Sequence, residues 1–360
     1  MESIYYVMAW ACHRRCKHCY EDRFRPYVRK ALDDVVGQAV RNAARIVDHF
    51  PERMTYIDLA EGPGQHSEKV GRIILSGGEA LLDGVREAVT YPVIERLQAR
   101  YRAVGGVNII VQTTGDLLDD RIVGELLERG VYMISVASVD DFHVGMEGPE
   151  KQRAFVDRLT TQFQCHGMRA SGVSAATRNG DEEAGPLFGF FGATPDNWIG
   201  KLWPRGRAWA NSLPRGSIAD NCNRWSGGLN FLHHRYNGSE VSVEPDGSVY
   251  PCCVKTALPL GNLTEEPLLE ILDSLVGVPA YEAINLGQPQ IMGLSEGWDE
   301  ARFIEASSTT LPDGRPYENL CIGCDRFHRE HLGPLLAAAK AKRLAERQRA
   351  ARASAEHHLA

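Results

Sequence analysis

The spacing of apolar positions divides the chain near residue 195. Before that point, short apolar runs alternate with stretches in which apolar residues recur at helical spacing. Residues 4–10 are β-branched and aromatic over a strand's length, which predicts a buried strand. Between residues 31 and 50, Val35, Val36, Ala39, Val40, Ala43, Ile46 and Val47 mark one face of a helix. Residues 72–75, 107–111, 131–137 and 168–176 read as further strands, with 186–191 as a sixth. Between them, helices are expected at roughly 85–102, 119–129 and 150–166. Richer in Gly, Pro and charge, residues 51–71 read as a loop with a short strand at 56–59. The alternation predicts right-handed βαβ units on a parallel sheet, an α/β fold.

After residue 195 the alternation stops, and Trp, Pro, Gly and Arg crowd residues 203–209. A second unit follows. Its clearest signal is Asp246-Gly247 between apolar residues 241–245 and 248–250, the pattern of a tight hairpin. A short helix is expected at 268–275, a loop at 287–316 and an Ala-rich helix at 334–353. The expected division is a parallel unit over 1–210, a small α/β module over 211–333 and a helical tail over 334–360. No internal repeat is present.

Four polar clusters each follow a predicted strand and precede a predicted helix. They are 12–20 with its cysteines, Ser76-Gly77-Gly78-Glu79, Gln112-Thr113-Thr114-Gly115, and Ser138-Val139-Asp140-Asp141-Phe142-His143. That position is the carboxyl end of a parallel sheet, where such folds build their sites. The clusters are therefore expected to converge on one face.

Composition narrows the class. A net charge of -7 over 360 residues argues against a general polyanion binder, and nucleic acid is not an expected partner. No apolar stretch is long enough to span a bilayer, and the first residues lack the basic start and long apolar core of a signal peptide. A cytoplasmic protein without a membrane partner is expected. The nine cysteines are odd in number and clustered, which fits metal-bound thiolates in a reducing compartment better than disulfides. Cys165, at the end of a predicted helix, is expected to be a buried apolar thiol.

Cys12, Cys16 and Cys19 stand in a C-x3-C-x2-C spacing. A disulfide scheme would leave one thiol over, and the spacing is not a usual zinc pattern. Three thiolates on one loop can hold three irons of a cubane cluster and leave the fourth open. With Tyr20 after the third cysteine, and with Ser76-Gly77-Gly78-Glu79 at the next strand end, the chain resembles the radical SAM superfamily. The resemblance implies a partial (β/α)6 TIM-like barrel that binds a [4Fe-4S] cluster and S-adenosylmethionine. It implies reductive cleavage of that cofactor to a 5′-deoxyadenosyl radical, which abstracts a substrate hydrogen. The electron must be strongly reducing, and iron–sulfur potentials extend to about -700 mV. Gly77 and Gly78 would let backbone approach the methionyl part, and Glu79 would pair with its ammonium. His18 would stack beside the adenine. Thr113, Thr114 and Ser135 would lie near the ribose or the methionine carboxylate; ordinary strand-end turns are an equal reading of them. Asp140, Asp141 and His143 are candidates for an acid or base, against the plainer reading of a solvated turn.

A second set comprises Cys222, Cys252, Cys321 and Cys324. Its frame, residues 243–252, Leu260-Gly261-Asn262-Leu263 and Cys321-Ile322-Gly323-Cys324, resembles the SPASM module or its shorter twitch form. Four cysteines from three segments would ligate one auxiliary iron–sulfur cluster. Cys252 rather than Cys253 fits, since neighbours on an extended strand point to opposite faces. No cysteine follows Cys324, so one cluster is expected rather than two. Zinc on Cys321, Cys324, His328 and His331 is the competing reading, and it leaves Cys222 and Cys252 unexplained.

The expected function is an oxidoreductase or maturase acting on a peptide or a small molecule, supplied by an external one-electron reductant of flavodoxin or ferredoxin type. The chain starts close to its first strand, so no leader-binding domain is expected ahead of it. A different class remains: a non-catalytic iron–sulfur or zinc protein for electron transfer or partner binding. The Gly-Gly-Glu turn speaks against it, since a carrier needs no cofactor loop. The aromatics Phe188, Phe190, Phe191, Trp198, Trp203 and Trp209 are expected to serve packing. The basic residues of 340–347 are expected on a solvated helix face.

Overall fold

The computed structural model describes residues 1–59, 66–171, 185–195, 197–220 and 230–358, with side chains to 352. Ser3–Val7 lies inside a nine-stranded sheet, parallel to Arg72–Ser76 on one side and to Glu240–Val243 on the other. Ile4, Tyr6 and Val7 are wholly buried, as an apolar strand covered on both faces must be. Outward from Arg72–Ser76 come Asn108–Thr113, Met133–Val136, Leu187–Phe190 and Arg169–Ala170, all parallel. On the other side, Ser248–Tyr250 and Gly261–Asn262 continue the sheet antiparallel.

The two-residue period of the strands sorts their side chains. Ile73, Leu75, Ile109, Val111, Ile134 and Val136 face the helices and join one core with Ile46, Leu97, Ile122 and Phe163. The alternate positions, among them Ile74, Ser76, Ile110, Gln112, Met133 and Ser135, line a cavity on the opposite face. Helices outside and a lined cavity inside make this a partial barrel. The helices fall close to their expected places at Lys30–Asp48, Tyr91–Tyr101, Asp120–Glu128 and Pro149–Cys165. Cys165 ends the last of them but is exposed, contrary to its expected burial.

Strand order departs from chain order at the far edge. Leu187–Phe190 takes the place beside Met133–Val136, and the expected fifth strand survives only as Arg169–Ala170 outside it. Packing explains the exchange. Phe188 stacks on Phe163 at 5.0 Å, whereas Arg169 and Ala170 are exposed. Most of the remainder of that expected strand, from 172 onward, lies outside the described residues. The expected loop at 51–71 contains a hairpin of Thr55–Asp58 and Ser67–Val70. The expected loop at 287–316 contains the helix Glu300–Ala306, and Ser308–Thr310 pairs with Pro316–Glu318. These elements are too short to show a period in the sequence.

The second unit shares the sheet of the first, because Glu240–Val243 pairs directly with Ser3–Val7. The C-terminal helix Gly333–His358 is also docked rather than simply solvated. Arg343 reaches Glu266 through two bonds of 2.8 and 2.9 Å, and both side chains are buried. Lys340 pairs with Glu265, and Arg347 donates to the Glu265 carbonyl. Cutting one side of a buried ion pair strands the other charge. Arg343→Met is therefore expected to cost about 3–5 kcal/mol, read as a lower urea unfolding midpoint. An unchanged midpoint would contradict the docking.

Candidate functional site

The cysteine loop leaves the carboxyl end of Ser3–Val7. Ala11 bridges to Arg25, and the Cys12 N–H donates to the Arg25 carbonyl at 3.0 Å, so the loop closes on itself. Cys12 and Cys16 are buried and Cys19 is half-buried. Backbone N–H groups point at the sulfurs: Arg14 N donates to Cys12 Sγ at 3.4 Å, and Val144 N bonds Cys16. Burial pushes the Cys12 thiol up to about 12 and the Cys19 thiol up to about 11. Left alone, these thiols stay protonated; bound to metal, they become thiolates that the N–H groups favour.

The loop is also held from a distance. Arg207, on the helix Gly206–Ala210, donates to the carbonyls of Cys16 at 2.9 Å, Asp22 at 3.2 Å and Phe24 at 2.7 Å. Asn211 bonds the Lys17 carbonyl, and Ala208 N donates to the Cys19 carbonyl. Glu21 and Arg23, just past the last cysteine, form an ion network with Glu244 and Lys255 of the second unit. Burial opposes ionisation of Glu21, but hydrogen bonds from Arg23 and the charge of Lys255 hold its carboxyl down at about 2. None of these contacts was legible as a sequence pattern.

The Gly-Gly-Glu turn fits against the same loop. Gly78 N donates to the Ala9 carbonyl at 3.0 Å, and Glu79 N to the Ala11 carbonyl at 2.9 Å. A Cβ on Gly78 would lie 2.3 Å from Ala11 O and 2.8 Å from Cys12 Cβ. Close approach of the cysteine loop therefore already requires glycine at 78, before any cofactor contact. Glu79 is buried, and its two oxygens accept four bonds. Oε1 takes Leu81 N at 2.9 Å and Thr113 Oγ1 at 2.7 Å; Oε2 takes Thr114 N at 2.8 Å and Thr114 Oγ1 at 2.7 Å. Four bonds fill a carboxylate's usual capacity. An ammonium at this carboxylate would have to share or replace one of them.

Of the expected acid–base candidates, Asp140 and His143 turn inward and Asp141 does not. Asp140 accepts from the N–H groups of Phe142, His143 and Ala193, and from His143 Nδ1 at 2.9 Å. Despite burial, these bonds keep Asp140 well below the usual carboxylate range. It orients His143 rather than meeting a substrate. Asp141 is exposed and bonds Gly148 N and Gln152, so it ties down the start of a helix. His18 packs against His143 at 4.6 Å and Phe142 at 5.4 Å. Burial first, and His143 second, push it down to about 4, so its ring is neutral at pH 7.

A cavity of about 960 Å³ joins these parts. All three cysteines of the loop line it, with Gly77, Gly78, Glu79, Thr113, Thr114 and Ser135. His18 and His143 do so as well, whereas Asp140 and Asp141 do not. The aromatics divide: Phe190, Phe191, Trp198 and Trp203 line the cavity, Phe188 packs in the core, and Trp209 lies edge-on to Tyr317.

In the second set, Cys252 is buried while Cys321 and Cys324 are half-buried. Asn319 caps the helix Leu320–Phe327 by accepting from Cys321 N at 2.9 Å, which fixes the C-x2-C turn. Arg205 lies within electrostatic reach of Cys252, Cys321 and Cys324 together. Cys253 faces the other way: it lines the cavity and lies within electrostatic reach of Tyr5 and Tyr20. Cys222 lies outside the described residues.

One zinc ion with bonds of about 2.3 Å would bring its sulfurs within about 4.6 Å of one another. Among the described residues, the group of three or more His, Cys, Asp or Glu with ligand atoms within 4.8 Å of one another is His18, Asp140 and His143. Neither the three loop cysteines nor Cys321, Cys324, His328 and His331 form such a group, although Cys324 Sγ lies 3.6 Å from His328 Nδ1. His328 Nδ1 is instead bonded to the Cys324 carbonyl at 2.8 Å, and His331 stacks on Phe327 at 4.8 Å. Arg205 reaches Cys252, Cys321 and Cys324, whereas Cys253 lines the cavity. Cys253→Ser should therefore leave the iron and sulfide content unchanged, whereas Cys252→Ser should lower it by about one cubane. Equal loss from both would contradict the register.

Residues 235–277 match the family model SPASM, described as an iron–sulfur cluster-binding domain. Among curated proteins no match was found. Similar solved structures include BtrN in complex with AdoMet and 2-DOIA, at 14% identity over 83% of this chain and 92% of that one, with a TM-score of 0.40. Native anSMEcpe with bound AdoMet and Cp18Cys peptide is 14% identical over 94% of this chain and 99% of that one, with a TM-score of 0.40. Streptococcus suis SuiB bound to S-adenosylmethionine is 12% identical over 79% and 67%, with a TM-score of 0.37. Those likenesses are distant. The C-x3-C-x2-C loop and the Gly-Gly-Glu turn packed on it carry the resemblance to radical SAM proteins, and the matched iron–sulfur cluster-binding module covers residues 235–277.

Proposed function

We propose that the chain is an enzyme that reductively cleaves S-adenosylmethionine and uses the resulting radical to modify a substrate held in the cavity. The supporting observation is the shared wall: Cys12, Cys16, Cys19, the Gly-Gly-Glu turn and Ser135 all line one cavity. A [4Fe-4S] cluster on the three thiolates supplies the electron for that cleavage when bound. Cys12, Cys16 and Cys19 would hold it, with the N–H groups of Arg14 and Val144 on two of the sulfurs. Glu79, Thr113 and Thr114 form one hydrogen-bonded unit that orients polar groups toward the cofactor. His18, neutral and packed against His143 and Phe142 on the cavity wall, offers a flat ring for an adenine. His143, held at Nδ1 by Asp140, is the side chain placed to accept a proton from substrate at Nε2.

The second unit would hold an auxiliary cluster on Cys222, Cys252, Cys321 and Cys324 and complete an oxidation or cross-link. The cavity must take S-adenosylmethionine together with the reacting part of the substrate. A small molecule or one side chain of a peptide fits that space better than a folded protein. Reconstituted anaerobically and reduced with dithionite, the chain should convert S-adenosylmethionine to 5′-deoxyadenosine. Full cluster content without 5′-deoxyadenosine would sink this reading.

A further inference from the structure

The segment Trp203–Trp209 stands out in sequence only by composition, yet its two arginines reach opposite cysteine sets. Arg207 binds carbonyls of the first loop, as described above. Arg205, two residues earlier, turns to the second set. Its Nε donates to the Val254 carbonyl at 3.1 Å, and its Nη2 to the Lys255 carbonyl at 3.0 Å and Asp325 Oδ1 at 2.9 Å. Those carbonyls belong to the turn just after Cys252 and Cys253. Gly206 lets the strap divide: its φ is +51°, and an added Cβ would lie 2.5 Å from the Tyr20 carbonyl.

The charges around Arg205 do not cancel within the protein. Asp325 is the carboxylate bonded to it, and Asp325 is shared with Arg329 at 3.3 Å. Lys255 is taken up by Glu21 and Glu244. Two guanidinium groups against one carboxylate leave an excess positive charge beside Cys252, Cys321 and Cys324. A mostly buried cation facing three thiols is costly unless those thiols are anionic, which is the state a bound cluster imposes.

We propose that Arg205 is a positioning residue that fixes the Cys252 turn against the Cys321–Cys324 helix, and that its charge raises the reduction potential of whatever cluster the set holds. The inference rests on the auxiliary-cluster reading above. Adding an electron to a thiolate-bound cluster adds negative charge, and a nearby desolvated cation stabilises the reduced form. Arg205 thus tunes this site toward taking up an electron, a different task from that of the first cluster.

The test is a redox titration of the reconstituted full chain followed by EPR, in the wild type, Arg205→Gln and Arg205→Lys. The auxiliary signal is the one that S-adenosylmethionine does not perturb. Glutamine keeps donors for the two carbonyls and loses the charge; lysine keeps the charge and loses the planar fork. Arg205→Gln should lower the reduced-to-oxidised ratio about tenfold at the wild-type midpoint, a shift of about 59 mV for one electron. Arg205→Lys should stay near the wild type, and Arg207→Gln should leave the auxiliary midpoint in place. Equal shifts in Gln and Lys, or no shift in either, would overturn the proposal. If Arg205→Gln fails to take up the cluster, iron and sulfide counts decide: retention by Arg205→Lys supports the charge role, and loss from both overturns it. A wild-type chain that holds one cluster only would instead refute the auxiliary-cluster reading itself.

Discussion

Cys16→Ser is expected to abolish 5′-deoxyadenosine formation and to remove about four irons per chain, one cubane's worth. The expectation follows from where Cys16 sits. It is buried, its sulfur takes the Val144 N–H, and its own carbonyl is pinned by Arg207. Nothing in that setting lets the loop slide to bring in another ligand. Serine is smaller, and its hydroxyl ionises far less readily than a thiol, so the hard oxygen does not replace the thiolate. The second cysteine set should keep its iron, since Cys252, Cys321 and Cys324 share no loop with Cys16. Metal analysis and anaerobic turnover of the same samples read both outcomes. Full iron content in Cys16→Ser would mean the loop is not the ligand set.

Gly78→Ala is expected to lower iron at the first site as well, although residue 78 supplies no ligand. Its added Cβ would meet Ala11 O at 2.3 Å and Cys12 Cβ at 2.8 Å, and Ala11 is fully buried. Neither atom is the far end of a flexible side chain, so backbone must move. Overpacking of this kind costs about 1–3 kcal/mol, and here the displaced backbone carries Cys12. The sequence expectation gave glycine there a role in the approach of the methionyl group, and the close approach of the cysteine loop is a second cause. The two causes separate cleanly. Displacement of the loop reduces iron content, whereas a lost cofactor contact raises the KM for S-adenosylmethionine at full iron content. The geometry predicts the first.

The chemistry-bearing positions were legible because they are local. A C-x3-C-x2-C loop after an apolar run and a Gly-Gly-Glu turn after another need no distant partner to be noticed. The two-residue strand period then carries Ser135 and Ile74 to the cavity side and Ile134 and Ile73 to the helix side. What could not be read depends on contacts across the chain. Asp140 and Asp141 are alike in sequence; the Ala193 N–H, 53 residues away, is one of the bonds that hold Asp140 inward. Arg207 holds the first loop through carbonyls, 191 residues from Cys16, and a bond to a carbonyl leaves no side-chain signature. The basic residues near 340 looked like a solvated face because their partners lie far back in the chain, Glu266 standing 77 residues before Arg343. The exchange of the two outer strands turned on Phe188 meeting Phe163, a packing choice the pattern over 168–176 could not announce.

The most direct measurement of the central claim is the EPR spectrum of the dithionite-reduced, reconstituted chain, with and without S-adenosylmethionine. An open iron on the Cys12–Cys16–Cys19 loop predicts that the cofactor changes one cluster signal, and that the change disappears in Cys16→Ser while the other signal persists. Identical spectra with and without S-adenosylmethionine, at full iron and sulfide content, would contradict it.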